Sequence, residues 1–340
     1  MQKKKRIVLV DFETGNKWKF ADTLKKTTKK EWKVIKCISN NDRIGFFANM
    51  KRYVKYFMFT LKIFLTRKSY SDIIAWQQFY GLIFAFYCRL FHCKKTNKLM
   101  IMTFIYKAKP GVLGKIYHRF MTYIIKSRYI DKIVCFSSHE CSYYAALFGL
   151  KDDKFVFVHF GEELPEPSLS EETQIPEEKD FILSVGFSYR DYDFLIDTMK
   201  DTDYHVKIYG DKTLNLNGNI QMSSERLGNK TWDMLSRCRC LVIPLKDSNI
   251  AAGQLTILHA MQIGKPVIVT DSKGICDYIT HGETGFIAPN NKRIWLDYIN
   301  QIYNNEELYH SMCHNAKDRY SSYHTIEAMG KTIGKLVLSI

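Results

Sequence analysis

Gly253 stands immediately before a run of residues patterned as a helix, Gln254-Leu255-Thr256 onward to about Ile263, and Gly264 stops that run. A glycine at a helix N-terminus lets free backbone N–H groups approach an anion closely, and the helix dipole favours negative charge there. Gly253–Thr256 is therefore a candidate phosphate site. Two carboxylates, Asp11 and Glu13, fall at the end of the first apolar run and before Gly15. There an open α/β sheet places its crevice, so either could serve as a general base. His118 and His139 stand alone and carry no comparable pattern. No cysteine or histidine spacing in the chain matches a zinc site, and no metal or cofactor is expected.

These residues need a scaffold, and the chain spells one out. Short apolar runs alternate with longer helical patterns: Ile7–Val10, Asp72–Ala75, Leu99–Ile105, Lys132–Phe136 and Phe155–His159, then Phe181–Val185, His205–Tyr209, Cys240–Pro244 and Pro266–Thr270. Continuous apolar strands separated by helices belong to parallel sheets covered on both faces. The expected fold class is α/β, with two doubly wound Rossmann-like domains facing a cleft. Between them, Gly161 to Glu178 holds three of the chain's seven prolines and reads as a linker. The expected organisation is a first domain at 1–161, an acidic linker at 162–180, a second domain at 181–316 and a terminal helix at 317–340 returning toward the first domain.

Composition narrows the partners. The 340 residues are 46% hydrophobic and 25% charged, a globular balance that excludes wholesale disorder. Nine cysteines, an odd number, are expected to be reduced thiols in a cytoplasmic protein. The apolar run after the basic start is too short for a signal peptide, and Phe79–Cys88 is too short to cross a bilayer. The net charge of +15 is unevenly spread: residues 1–165 carry 32 Lys+Arg against 12 Asp+Glu, and residues 166–340 carry 18 against 23. The first half thus faces an anionic partner. In Lys51–Arg67 a helix would align Lys51, Lys55 and Lys62 beside Tyr53, Phe57 and other apolar residues. Val112–Ile130 repeats the spacing with Lys115, Arg119 and Lys126. A basic stripe beside a wide aromatic face suits the headgroup layer of a membrane.

The stretch Leu258-His-Ala-Met-Gln-Ile-Gly-Lys-Pro-Val-Ile-Val-Thr-Asp271, followed by Tyr278-Ile-Thr-His-Gly-Glu-Thr-Gly-Phe-Ile-Ala-Pro289, resembles the donor segment of GT-B-fold glycosyltransferases, closest to the large retaining family four (group 1). Ile182-Leu-Ser-Val-Gly186 resembles the first strand of that donor domain, and Ile208-Tyr-Gly-Asp211 a later strand end. The resemblance covers about 181–325. It implies a UDP- or GDP-sugar donor held by Gly186, Arg190, Gly210, Gly253, Gln254, Leu255, Thr256 and His259, with the Arg190 guanidinium on the diphosphate. Both glutamates of the family's Glu-x7-Glu motif are replaced, by Ala251 and His259. It implies a hexosyltransferase, retaining rather than inverting; an inverting one would need Asp11 or Glu13 as base. The expected enzyme works at the cytoplasmic membrane face on a glycan or lipid-linked acceptor in surface polysaccharide synthesis. Two alternatives stand beside it. A nucleic-acid-binding protein would use the basic half, though no nucleic-acid motif is present; a glycosyltransferase-like scaffold would have lost activity with its glutamates.

Overall fold

The computed structural model describes residues 4–15, 17–38, 46–150, 153–162, 180–214, 216, 218–246 and 253–340. The chain forms two compact units, residues 1–158 with 329–340, and residues 159–328. Most of the expected linker lies outside the described residues.

The first unit runs β1 (Lys5–Val10), α1 (Lys19–Thr28), β2 (Lys33–Lys36), α2 (Phe46–Leu65), β3 (Tyr70–Ala75), α3 (Gln78–Leu90), β4 (Lys98–Ile101), α4 (Gly111–Ile125), β5 (Lys132–Cys135), α5 (Ser138–Leu147) and β6 (Phe155–Phe157). Its six strands are all parallel, in the order β2-β1-β3-β4-β5-β6. Ile7–Val10 of β1 is fully buried because both sheet faces are covered. Ile7, Leu9, Ile73 and Leu99 share a core with Tyr56, Ile63 and Phe64 of α2 and with Tyr80 and Phe84 of α3.

The second unit runs β7 (Ile182–Val185), α6 (Tyr192–Met199), β8 (Val206–Tyr209), β9 (Ile220–Ser223), α7 (Lys230–Arg237), β10 (Cys240–Ile243), α8 (Gln254–Ile263), β11 (Val267–Thr270), β12 (Gly285–Ala288), α9 (Lys292–Asn304) and α10 (Glu306–Arg319). Its parallel sheet has the order β12-β11-β10-β7-β8-β9, the doubly wound arrangement expected from sequence. Separate cores form on its two faces, one around Leu241, Leu258 and Tyr278 and the other around Ile208, Val242 and Trp295. After a single π-helical turn at Tyr320–His324 comes α11 (Ile326–Ser339), whose residues from 329 belong to the first unit. There Gly330 lies against Phe20, and Gly334 against Thr27.

Three strands, β2, β9 and β12, escape the apolar-run criterion, and all three are sheet edges. An edge strand has one open side, so β2 (Lys-Val-Ile-Lys) and β9 (Ile-Gln-Met-Ser) carry polar residues that interrupt the run. The run Leu99–Ile105 ends as a strand at Ile101. Strand order also locates each unit's crevice. In the first it opens where β1 meets β3, at Asp11–Glu13 and Trp76–Gln77; in the second where β7 meets β10, at Gly186–Arg190 and Pro244–Leu245.

Candidate functional site

The crevice of the second unit is built around one arginine. Arg190 follows β7 and is only 9% exposed. Its Nη1 donates to Ser188 O at 3.2 Å and its Nη2 to Val185 O at 3.4 Å, while its Nε is buried without a hydrogen-bond partner. No carboxylate among the described residues pairs with it; burial alone pulls its pKa down, and the nearby Tyr192 hydroxyl pushes the other way. An arginine stays protonated in a protein, so this is a desolvated positive charge with no counter-charge among the described residues.

Two glycines flank the guanidinium. A Cβ on Gly186 would lie 2.5 Å from Nε, so only glycine leaves the guanidinium room. A Cβ on Gly253 would lie 3.1 Å from Nη2, and Gly253 caps α8 at φ 104, in the left-handed region. Helix α8 begins at Gln254 with no side-chain cap and no acidic residue in its first turn, so its N–H groups and positive dipole end face the same place as Arg190. Two positive features held together in a buried site suit an anion between them.

Backbone pairing holds this geometry. Asp191 N–H donates to Pro244 O at 3.0 Å, and Lys246 N–H to Tyr189 O at 3.1 Å, tying the loops after β7 and β10 together. Leu245 N–H donates to Thr270 Oγ1 at 2.8 Å, Thr270 Oγ1 to Asn290 Oδ1 at 2.7 Å, and Asn290 Nδ2 returns to Leu245 O at 3.0 Å. Tyr192 OH donates to Gly186 O at 2.6 Å and lies 3.2 Å from Tyr209 O. The Tyr192 ring fills the space where Gly210 would carry a Cβ, 2.4 Å away. Gly210 therefore seats Tyr192. Neither Tyr192 nor the Thr270–Asn290 clasp is marked by sequence spacing, because each meets its partner only across strands.

The other expected residues divide. Gln254 and Thr256 are half-buried in the first turn of α8, and Leu255 is exposed. His259 lies one turn further on, its ring 4.5 Å from Trp232, and burial pushes its pKa down to about 4. It is neutral at physiological pH, able to donate or accept one hydrogen bond but not to pair with phosphate. Ala251 lies outside the described residues. In the first unit Asp11 is buried and accepts from Gln77 Nε2 at 3.0 Å, whereas Glu13 is exposed and pairs with Lys36 at 3.0 Å. Asp11 is thus fixed in its crevice and Glu13 is not. His118 stacks on Phe148 and shares a proton with Tyr106 OH, 3.2 Å from its Nδ1. His139 stacks on Tyr143. Lys51, Lys55, Lys62, Lys115, Arg119 and Lys126 all lie exposed on, or just past, α2 and α4. No three metal-ligating side chains converge among the described residues.

Comparison with known proteins decides the family. Residues 166–319 match the family described as glycosyl transferases, group 1. The second unit carries a group 1 glycosyl transferase domain. An uncharacterised glycosyltransferase of Methanocaldococcus jannaschii is 31% identical over 137 residues, 37% of this chain and 38% of that protein. The matched segment is thus well under half of that relative's length. Among solved structures, HepE of Anabaena in complex with UDP and glucose aligns over 99% of this chain and 100% of its own, at 15% identity and a TM-score of 0.64. Sucrose-phosphate synthase of Thermosynechococcus elongatus aligns over 99% of both chains, at 14% identity and a TM-score of 0.70. The chain therefore has the GT-B fold expected from its sequence.

Two outcomes follow from the clasp and from His259. Thr270→Val keeps the shape but strips Leu245 N–H and Asn290 of their shared partner, and should cost about 2 kcal/mol, read as a lower urea midpoint at unchanged m-value. Thr270→Ser should cost much less. The unfolded chain protonates His259 near pH 6.5 and the folded chain only near pH 4, so this contribution is complete above pH 6.5 and lost as pH falls toward 4. His259→Phe should flatten the decline in unfolding midpoint across that window; an unchanged slope would contradict the shift.

Proposed function

We propose that this group 1 protein transfers a sugar from a nucleoside-diphosphate sugar to a membrane-associated glycan or lipid-linked acceptor. The observation that carries the reading is Arg190: a buried guanidinium that no carboxylate among the described residues pairs with, set against the glycine-capped start of α8. That arrangement suits a diphosphate, which brings two adjacent negative groups to one cation and one helix terminus. UDP is the first nucleotide to test, since HepE has been solved with UDP and with UDP-glucose.

In the proposed retaining reaction, the bond between the sugar's anomeric carbon and the diphosphate oxygen breaks as the acceptor hydroxyl oxygen bonds to that carbon. The acceptor proton passes to the departing phosphate oxygen. Arg190 and the α8 N–H groups stabilise the negative charge that grows on the diphosphate, an electrostatic contribution strengthened by burial. The protein then needs no base of its own. Asp11 is the base of an inverting alternative. No metal or other cofactor enters this scheme.

The acceptor clause rests on the first unit. Between residues 43 and 130 Asp72 is the only acidic residue. Exposed Met50, Val54, Phe57 and Met58 lie on α2 beside Lys51 and Lys55, and exposed Leu113, Ile116 and Phe120 on α4 beside Lys115 and Arg119. Such a surface suits adsorption to anionic lipid on the cytoplasmic face. Among the described residues no helix is long and apolar enough to cross a membrane.

Two measurements test the reading. UDP or GDP should raise the melting temperature by several degrees, and Arg190→Met should abolish that shift. Removing an uncompensated buried charge should leave the free variant at least as stable as the native protein; unaltered nucleotide stabilisation would refute the donor site. Charge reversal at Lys51, Lys55, Lys62, Lys115 and Arg119 should abolish flotation with phosphatidylglycerol vesicles, and unchanged flotation would refute the membrane clause.

A further inference from the structure

A concavity of about 810 Å³ in the first unit lies at the amino-terminal ends of β1 and β2, the opposite end of the sheet from Asp11. Lys25, Lys26, Lys29 and Lys30 line it from the last turn of α1 and the residues after it, with Lys4 and Lys5 entering from β1. A second concavity shares Arg6 and Lys30 with it and continues the basic surface past Lys95 and Lys98. Only two carboxylates, Glu31 and Asp72, line the pair, and both are already engaged: Glu31 with Lys25 at 2.7 Å, Asp72 with Arg6 at 3.0 Å. Lys26, Lys29, Lys30 and Lys33 have no acidic partner among the described residues.

Lys25 and Lys26 lie in the last turn of α1, where the helix dipole favours cations, and Lys25 pairs with Glu31; Lys29, Lys30 and Lys33 lie beyond that helix and have no such role. Together with Lys4 and Lys5 these lysines gather like charges around one concavity, and like charges brought together repel. Lys29 takes the left-handed C-cap of α1 at φ 53, a conformation that favours glycine. Half-buried Trp32 lies among the lysines, its indole N–H donating to Thr28 Oγ1 at 3.0 Å. None of the exposed large apolar side chains falls within residues 4–38, so this surface lacks what the α2–α4 face offers a lipid layer.

We propose that this concavity binds an acidic glycan chain, one bearing carboxylate or phosphate groups, as an exosite for the acceptor polymer. This rests on the glycosyltransferase reading, which supplies a glycan as the polymer the protein meets. The lysines match a row of anionic groups, and the Trp32 ring offers an apolar face on which a sugar ring stacks. Because the concavity lies at the far end of the sheet from the crevice, it holds a part of the chain other than the end being extended. It raises acceptor affinity without taking part in transfer.

The test uses the full chain and an oligogalacturonate of about ten residues. A neutral dextran oligomer, a single-stranded RNA of equal charge and phosphatidylglycerol vesicles are the comparisons. The native protein should bind oligogalacturonate and not dextran. A Lys26→Glu/Lys29→Glu/Lys30→Glu variant should bind it at least about tenfold more weakly, with a salt dependence shallower by roughly three ion contacts. The corresponding Lys→Gln variant should lose less, in the same direction, which separates charge from misfolding. Nucleotide stabilisation should be identical in all three proteins. Unchanged oligogalacturonate binding in both variants, tighter binding of the RNA, or lysine dependence seen only with vesicles would each overturn the proposal. If UDP and GDP fail to stabilise the protein while lysine-dependent oligogalacturonate binding persists, the donor reading fails and the polyanion site stands.

Discussion

A single desolvated guanidinium organises the second unit. A Cβ on Gly186 would lie 2.5 Å from the Arg190 Nε and would force the guanidinium to move, and one on Gly253 would lie 3.1 Å from its Nη2 and would crowd it. Its burial is unfavourable by itself, since a charge removed from water needs a partner. The surroundings hold it nonetheless. The loops after β7 and β10 are tied to each other by two backbone hydrogen bonds, and the second is clasped by Thr270 and Asn290. The helix that begins at Gly253 supplies the second positive feature. A site that stores electrostatic strain in the free protein releases it when an anion arrives, which is the thermodynamic sense of a preorganised phosphate cradle.

The first unit is distinguished by its surface charge. Its sheet is ordinary, with a fully buried first strand and a core shared by α2 and α3. Its cations divide by surroundings: those on α2 and α4 stand among exposed apolar side chains, those around the end of α1 stand without them. The first setting suits a lipid layer and the second a hydrated polyanion, so one basic half can serve two acidic partners without one surface doing both jobs.

Much of this was legible beforehand, for identifiable reasons. Central strands of a parallel sheet are buried on both faces and appear as plain apolar runs; β1, β7, β10 and β11 were visible for that reason. Edge strands β2 and β9 were not, because one open side admits lysine, glutamine and serine. The limits of α8 were readable because glycine marks both ends, with Gly253 at φ 104 and Gly264 at φ 79. Gly210, expected against the donor, also makes room for the Tyr192 ring, a role that depends on a residue 18 positions earlier.

The sequence by itself determined the alternation of strands and helices, the glycine-capped helix, the donor segment and the uneven charge, because each is a local pattern of residue types. Only the tertiary structure decided that Arg190 is buried, pairs with no carboxylate among the described residues and meets Gly253, some sixty residues away. It alone decided that His259 is neutralised by burial against Trp232, and that lysines from α1, β1 and the β3–β4 connection line adjoining concavities. Burial and convergence depend on which strands lie side by side, and strand order is a property of the folded chain that no local pattern encodes.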